Sequence, residues 1–223
     1  MATKTDLYTS IELELKDNAE FLNTLDYDEC LKNALHQYSK DRPRIRTYDY
    51  IGDGESYEWN VPTDWVKGLS RALAVEYPAD QQLPNYLPEE RWEVYVVNEQ
   101  PKLRLKYDVP ASGEVVRLHY SVLHEPESVP EPDLGPLVKL AVAYCFRMLA
   151  ARFAQTSESL VGADSAEHRD RTDTYLRLAE AYEREYCRAV GRTEESNPAA
   201  TIQADWDIRA SFGRFLFHRA LRR

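Results

Sequence analysis

Asp133-Leu134-Gly135-Pro136-Leu137-Val138-Lys139-Leu140-Ala141-Val142-Ala143-Tyr144-Cys145-Phe146-Arg147-Met148-Leu149-Ala150-Ala151-Arg152-Phe153 is the stretch on which the fold turns. Its periodicity predicts a helix that is apolar on nearly every side. Leu137, Leu140, Ala141, Tyr144, Cys145 and Met148 make one face, and Val138, Val142, Phe146 and Leu149 widen it. One small protein rarely buries such a helix alone, so neighbouring subunits are expected to cover part of it. Lys139, Arg147 and Arg152 interrupt the apolar run from Leu134 to Ala154. A buried or interface helix is therefore expected, not a membrane span.

Upstream, Glu125 to Pro136 carries Pro126, Pro130, Pro132 and Pro136 and reads as a stiff crossover into this helix. Before it the period is two. Arg44 to Tyr50 and Ser56 to Val61, joined by Gly52-Asp53-Gly54, read as a β-hairpin. Leu69 to Tyr77, Trp92 to Val97, Leu103 to Tyr107 and Val115 to Val122 are further strands, giving a small antiparallel sheet or barrel of five or six strands. Ahead of this module, Leu31, Ala34, Leu35 and Tyr38 recur at helical spacing over Tyr27 to Lys40, with Asp26 as the expected cap. The first twenty residues are polar, with weak periodicity, and are expected to form an extended lead or a frayed helix. Downstream, a helix is expected from Ser165 to about Val190, with Tyr175, Leu178, Ala179, Tyr182, Tyr186 and Val190 on its apolar face and Gly191 as its stop.

The resulting expectation is an α+β chain: a helical bundle of about three helices with an inserted antiparallel β module and an extended C-terminal arm. Its boundaries are 1–43 for the lead and first helix, 44–124 for the β module, 125–191 for the two long helices, and 192–223 for linker and arm.

At 223 residues the chain is long enough for one sizeable domain or a core with an appended module. Cys30, Cys145 and Cys187 are odd in number, far apart and each on an expected helix, which suits reduced, packed thiols in a cytosolic compartment. Met1 to Lys16 mixes charge with apolar residues, so no secretory signal is expected. The formal charge is −10; without the five positive charges of residues 208–223, −15 remains on residues 1–207. An acidic body with a cationic tip suits a complementary protein surface better than a grip on phosphate.

Catalytic chemistry is hard to place. His36, His119, His124, His168 and His218 fall on different elements, and no cysteine pair has zinc-knuckle spacing, so no metal and no cofactor are expected. Gly52-Asp53-Gly54 has no helix behind it to make a phosphate loop. His168-Arg169-Asp170 opens a helix without the other kinase signatures. Asp64, Glu76, Asp80, Glu89 and Glu90 are expected to be solvated loop acids, since nothing brings two of them together. The reading is that the chain is not an enzyme. Of fifteen tyrosines and four tryptophans, eight and three gather in the β module, Tyr48, Tyr50, Tyr57, Trp59, Trp65 and Trp92 among them. They suit a sheet that packs on one side and can meet a partner on the other.

After a polar linker from Thr193 to Ala200, residues 208–223 hold five arginines and no acid. This segment carries too much charge for its own core and too many aromatics to rest in water, and it reads as an arm ordered by another molecule. As a strand it places Phe215 and Phe217 on one face. As a helix it makes a stripe of Ile208, Phe212, Phe215 and Leu216, weakened by Gly213. The sites expected to dock a partner are Trp206, Arg209, Phe212, Arg214, Phe215, Phe217, Arg219, Arg222 and Arg223.

Several phrases in this order form a pattern. They are Ala34-Leu35-His36-Gln37-Tyr38-Ser39-Lys40-Asp41-Arg42-Pro43, Trp65-Val66-Lys67-Gly68-Leu69-Ser70, Val75-Glu76-Tyr77-Pro78, Ala150-Ala151-Arg152-Phe153-Ala154-Gln155, His168-Arg169-Asp170-Arg171-Thr172-Asp173-Thr174-Tyr175, Asp205-Trp206-Asp207 and Gly213-Arg214. Together they resemble head-tail connector (adaptor) proteins of tailed bacteriophages. That resemblance implies a non-catalytic virion protein, made in the host cytoplasm and placed at the head-tail interface. It implies a homo-oligomeric ring, commonly of twelve copies, beneath the portal protein. The arm would reach onto the portal, the opposite face would receive the next tail or stopper component, and DNA would pass through the channel without specific binding. A nucleic-acid-binding regulator that uses the arginine arm is the alternative, and it predicts steeply salt-dependent DNA affinity.

Overall fold

A computed structural model describes residues 3–157 and 164–192, with the side chains of residues 155–170 outside that description. The fold is α+β. Four helices, α1 (Lys4–Leu15), α2 (Thr24–Asp41), α3 (Glu131–Ser157) and α4 (Asp164–Val190), enclose one core. Six strands between α2 and α3 enclose a second.

The chain opens with a packed helix, not an extended or frayed lead. Thr3 and Asp6 cap each other reciprocally at the start of α1, and Leu7, Ile11 and Leu15, one turn apart, are buried against α3. The cap of α2 is Asn23 and not Asp26. The Asn23 side chain accepts from the Leu25 and Asp26 amides, and Asp26 accepts from the Asn23 amide in return.

α3 has no need of neighbouring subunits, contrary to the sequence expectation. Leu137, Leu140, Ala141, Val142, Cys145 and Leu149 are each 1% exposed or less, walled in by α1, α2 and α4. Every such leucine contributes about 2 kcal/mol. The three cations that interrupt the run are satisfied within the same chain. Lys139 pairs with Glu185 and Arg147 with Glu183 on α4, and Arg152 donates to the Phe21 carbonyl. Residues 131–154 are apolar and long enough to cross a membrane, but most of their most apolar window is buried inside the protein, as befits a core helix. On α4, Tyr175, Ala179 and Tyr186 are buried, whereas Leu178, read as part of the same face, is 36% exposed.

The strands form two sheets of three and not one sheet or barrel. β1 (Arg44–Ile51), β6 (Val115–Val122) and β3 (Ala72–Glu76) pair antiparallel in the order β1-β6-β3, with Arg44 opposite Val122 and Ile51 opposite Val115. β2 (Glu58–Asn60), β5 (Gln100–Leu105) and β4 (Trp92–Val97) pair in the order β2-β5-β4. Tyr50, Val75, Val116, Leu118 and Tyr120 meet Leu103 and Leu105 between the sheets, with Trp59, Trp65 and Trp92 packed against them.

The expected hairpin across Gly52-Asp53-Gly54 does not form. Asp53 Oδ1 accepts from the Glu55 and Ser56 amides, an Asx turn that sends the chain across to the second sheet. Gly52 is bonded to residues 113 and 114 instead, and the same loop comes so close that a Cβ there would sit 2.5 Å from the Ala111 carbonyl oxygen. The glycine serves a close approach, not a tight turn.

Candidate functional site

Trp206, Arg209, Phe212, Arg214, Phe215, Phe217, Arg219, Arg222 and Arg223 all lie outside the described residues. What the structure does fix is the point from which that segment departs. Gly191, at φ 75°, ends α4. The Arg192 amide then turns back to donate to the Cys187 carbonyl at 2.8 Å, an arrangement that closes a helix on a left-handed glycine. The Arg192 guanidinium sits 3.5 Å from Asp41, the last residue of α2, and Arg42 Nη2 donates to the Ala189 carbonyl at 3.4 Å. The root of the arm is thus set against the junction of α2 with β1.

A polar brace makes this junction rigid. Asp133, at the start of α3, has a side chain only 10% exposed and accepts from Tyr38 Oη at 2.6 Å and from Arg42 Nη1 at 2.6 and 2.7 Å. These bonds give both carboxylate oxygens a donor, two of them charge-assisted. Tyr186 Oη donates to Asp41 at 2.7 Å, joining the last turn of α4 to the same group. Burial first, and then these carboxylates, push the Tyr38 and Tyr186 hydroxyls far above the usual tyrosine range, so both remain donors at any physiological pH.

His124 closes the brace from the β side. Its amide donates to Ser39 Oγ at 2.9 Å, and its Nε2 lies 3.0 Å from the Arg42 carbonyl, which makes Nε2 the protonated nitrogen. Nδ1 lies 3.1 Å from Ser128 Oγ, whose hydroxyl also reaches the Glu125 carbonyl at 2.9 Å. Burial lowers the ring's pKa, outweighing the hydrogen bonds that act against it, and holds it neutral. In the sequence, His124 is one of five scattered histidines and Asp133 the start of a helix. The signal available was an acid between two prolines opening an apolar helix, a place where a free carboxylate would be exposed to the core.

A second polar cluster lies on the outward face of the first sheet. Arg117 on β6 donates to Asp49 on β1 through Nε and Nη2, at 2.7 and 2.8 Å, and to Asp80 at 2.8 Å; Glu76 on β3 stands 3.7 Å away. Three carboxylates therefore share one guanidinium. The pairing lowers the Asp49 pKa and raises that of Arg117. Glu76, read as a solvated loop acid, is a strand residue 4% exposed, and Asp64 is engaged by Arg46 and Tyr120. Strand pairing between β3 and β6 brings Glu76 to Arg117, a contact that sequence spacing does not encode.

The aromatic residues of the β module divide between core and surface. Tyr50 and Tyr120 are buried, and Trp65 stacks on Tyr120 with ring centroids 6.0 Å apart. Tyr48, Tyr57, Tyr86 and Tyr107 are exposed. Among the described residues no group of three or more histidine, cysteine or acidic side chains is arranged to hold a metal ion.

No family model matches this chain, and no curated protein does. Among solved structures it is similar to a chain of the "Neck of empty GTA particle computed with C6 symmetry", at a TM-score of 0.29 and 11% identity, over 55% of this chain and 67% of that one. A likeness this slight settles neither fold nor role.

Proposed function

We propose that this chain is a non-catalytic structural subunit of a virus particle neck, a head-tail connector that forms a ring beneath the portal and extends its DNA channel. The arm from Trp206 to Arg223 is the portal-docking element, with Arg209, Phe212, Arg214, Phe215, Phe217, Arg219, Arg222 and Arg223 as its contacts. The observation that carries this reading is the braced root. The helix that precedes the cationic, aromatic segment ends at a point fixed by Asp41, Arg42 and Ala189, which gives the tether to that segment a firm anchor on the body.

Since the apolar face of α3 is covered by its own chain, the contacts between copies in the ring fall on surface side chains. The order of parts supports the reading as well: helices, β module, two long helices and tail follow one another as in the family that the sequence resembles.

The test is a pull-down of purified portal by the full chain and by a chain lacking residues 208–223, with melting curves to establish that both are folded. The full chain is expected to retain portal and the shortened chain to lose it at least tenfold. Failure of the full chain to bind portal refutes the proposal. Binding by the shortened chain refutes the role of the arm.

A further inference from the structure

β1 is an edge strand whose free side is uncovered. It pairs only with β6, and among the described residues its backbone makes no bond beyond that ladder. Ile45 is 61% exposed, Tyr48 46% and Ile51 72%; the strand contains no proline or bulge, and its cations Arg44 and Arg46 lie on the opposite face, paired with Glu125 and Asp64, so they do not blunt the outward edge. An eight-residue edge with two open isoleucines is built to be covered.

Three observations select the cover. The register with β6 puts Ile45, Thr47, Asp49 and Ile51 on the outward face, next to the cluster in which Asp49, Glu76 and Asp80 share Arg117. Asp49 and Asp80 are 45% and 64% exposed, so two carboxylates on this face remain open to a further cation. The chain outside the described residues starts at the foot of the same strand, where Arg192 meets Asp41, three positions before β1 begins. Residues 193–207 can span about 50 Å when extended, against about 27 Å for the length of β1.

We propose that in the free chain the C-terminal segment, centred on residues 214–219, adds as a strand to the open edge of β1 in the same molecule. At strand period, Phe215, Phe217 and Arg219 share one face. They match what the outward face of β1 offers when the segment runs parallel to it: with Arg219 opposite Asp49 and within reach of Asp80, Phe215 falls on Ile45, Phe217 on Thr47 and Leu221 on Ile51. Main-chain bonds supply the affinity and the alternating side chains the register. A tether of this length gives a millimolar effective concentration, far above that of a second copy in dilute solution, and so favours docking within one molecule. The arm is stored on β1 until a partner takes it. The inference concerns the free chain and stands whether or not that partner is a portal.

Amide hydrogen exchange on the full chain tests this, comparing the native sequence with a variant carrying Phe215→Ser, Phe217→Ser and Arg219→Glu at several protein concentrations. The β1 amides that do not bond β6 are expected to exchange at least tenfold more slowly in the native chain, equally at every concentration. Those that do bond β6 report that the sheet is intact in both. An Asp49→Lys chain is expected to lose most of the same protection. Equal exchange in the native and arm-substituted chains overturns the proposal. Protection that grows with concentration overturns it too, because the cover is then a second copy.

Discussion

Asp133→Ala removes the one carboxylate that Tyr38 and Arg42 share. Tyr38 is 1% exposed, so its hydroxyl is left in the core without an acceptor, at a cost of about 1 to 2 kcal/mol. Breaking a buried ion pair costs about 3 to 5 kcal/mol when the remaining charge stays buried. The Arg42 side chain is 43% exposed and can swing into water, which reduces its share to about 2 kcal/mol. The sum is about 3 to 4 kcal/mol. For a chain of this size that lowers the melting midpoint by about 10 °C. Urea denaturation of wild type, Asp133→Ala, Tyr38→Phe and the double variant measures it, the double variant because phenylalanine leaves no stranded hydroxyl. Asp133→Ala is expected to cost about 1 kcal/mol less in the Tyr38→Phe background than alone. A single-variant loss under 1 kcal/mol, or strict additivity, would show that the brace does not hold the joint.

Two further outcomes follow from the same structure. Arg117→Leu leaves Glu76, with a side chain 6% exposed, facing Asp49 and Asp80 without a cation; it is expected to cost about 3 kcal/mol in urea titration, and adding Glu76→Gln should recover part of that, so no recovery argues against a charge effect. Burial lowers the His124 pKa below its usual 6.5, so the unfolded chain takes up a proton that the fold refuses: stability is complete above pH 6.5 and falls as pH drops through the folded value. Melting midpoints between pH 7.5 and 5.5 should fall more steeply for wild type than for His124→Gln. His36, lowered in the same direction, leaves a residual slope in both, and equal slopes refute the assignment.

The helices could be read from the sequence because their information is local. Leu31, Ala34, Leu35 and Tyr38 declare a buried stripe, and α2, α3 and α4 lie within a few residues of where periodicity puts them. The same rule applied to Leu7, Ile11 and Leu15 finds α1, which polar neighbours obscured. The strands could be found but not paired. Arg44 to Tyr50 is a strand, yet its partner begins at Val115, and only the packing of Tyr50 and Val116 on one core selects that partner. α3 misled in the opposite sense, since an all-round apolar helix states that it must be covered but not by what. Of the candidate site, the sequence showed the arm's composition, while its root depends on Asp41, Arg42, Ala189 and Arg192 meeting from opposite ends of the chain.

The β module enters and leaves the helical body at almost one spot. Arg44 stands opposite Val122, and the Arg42 carbonyl accepts from the His124 ring. A lobe mounted on so narrow a footprint behaves as an exchangeable attachment. Because the helical core and the β core are separate clusters, a change in length between these two ends is expected to leave the bundle's helices folded.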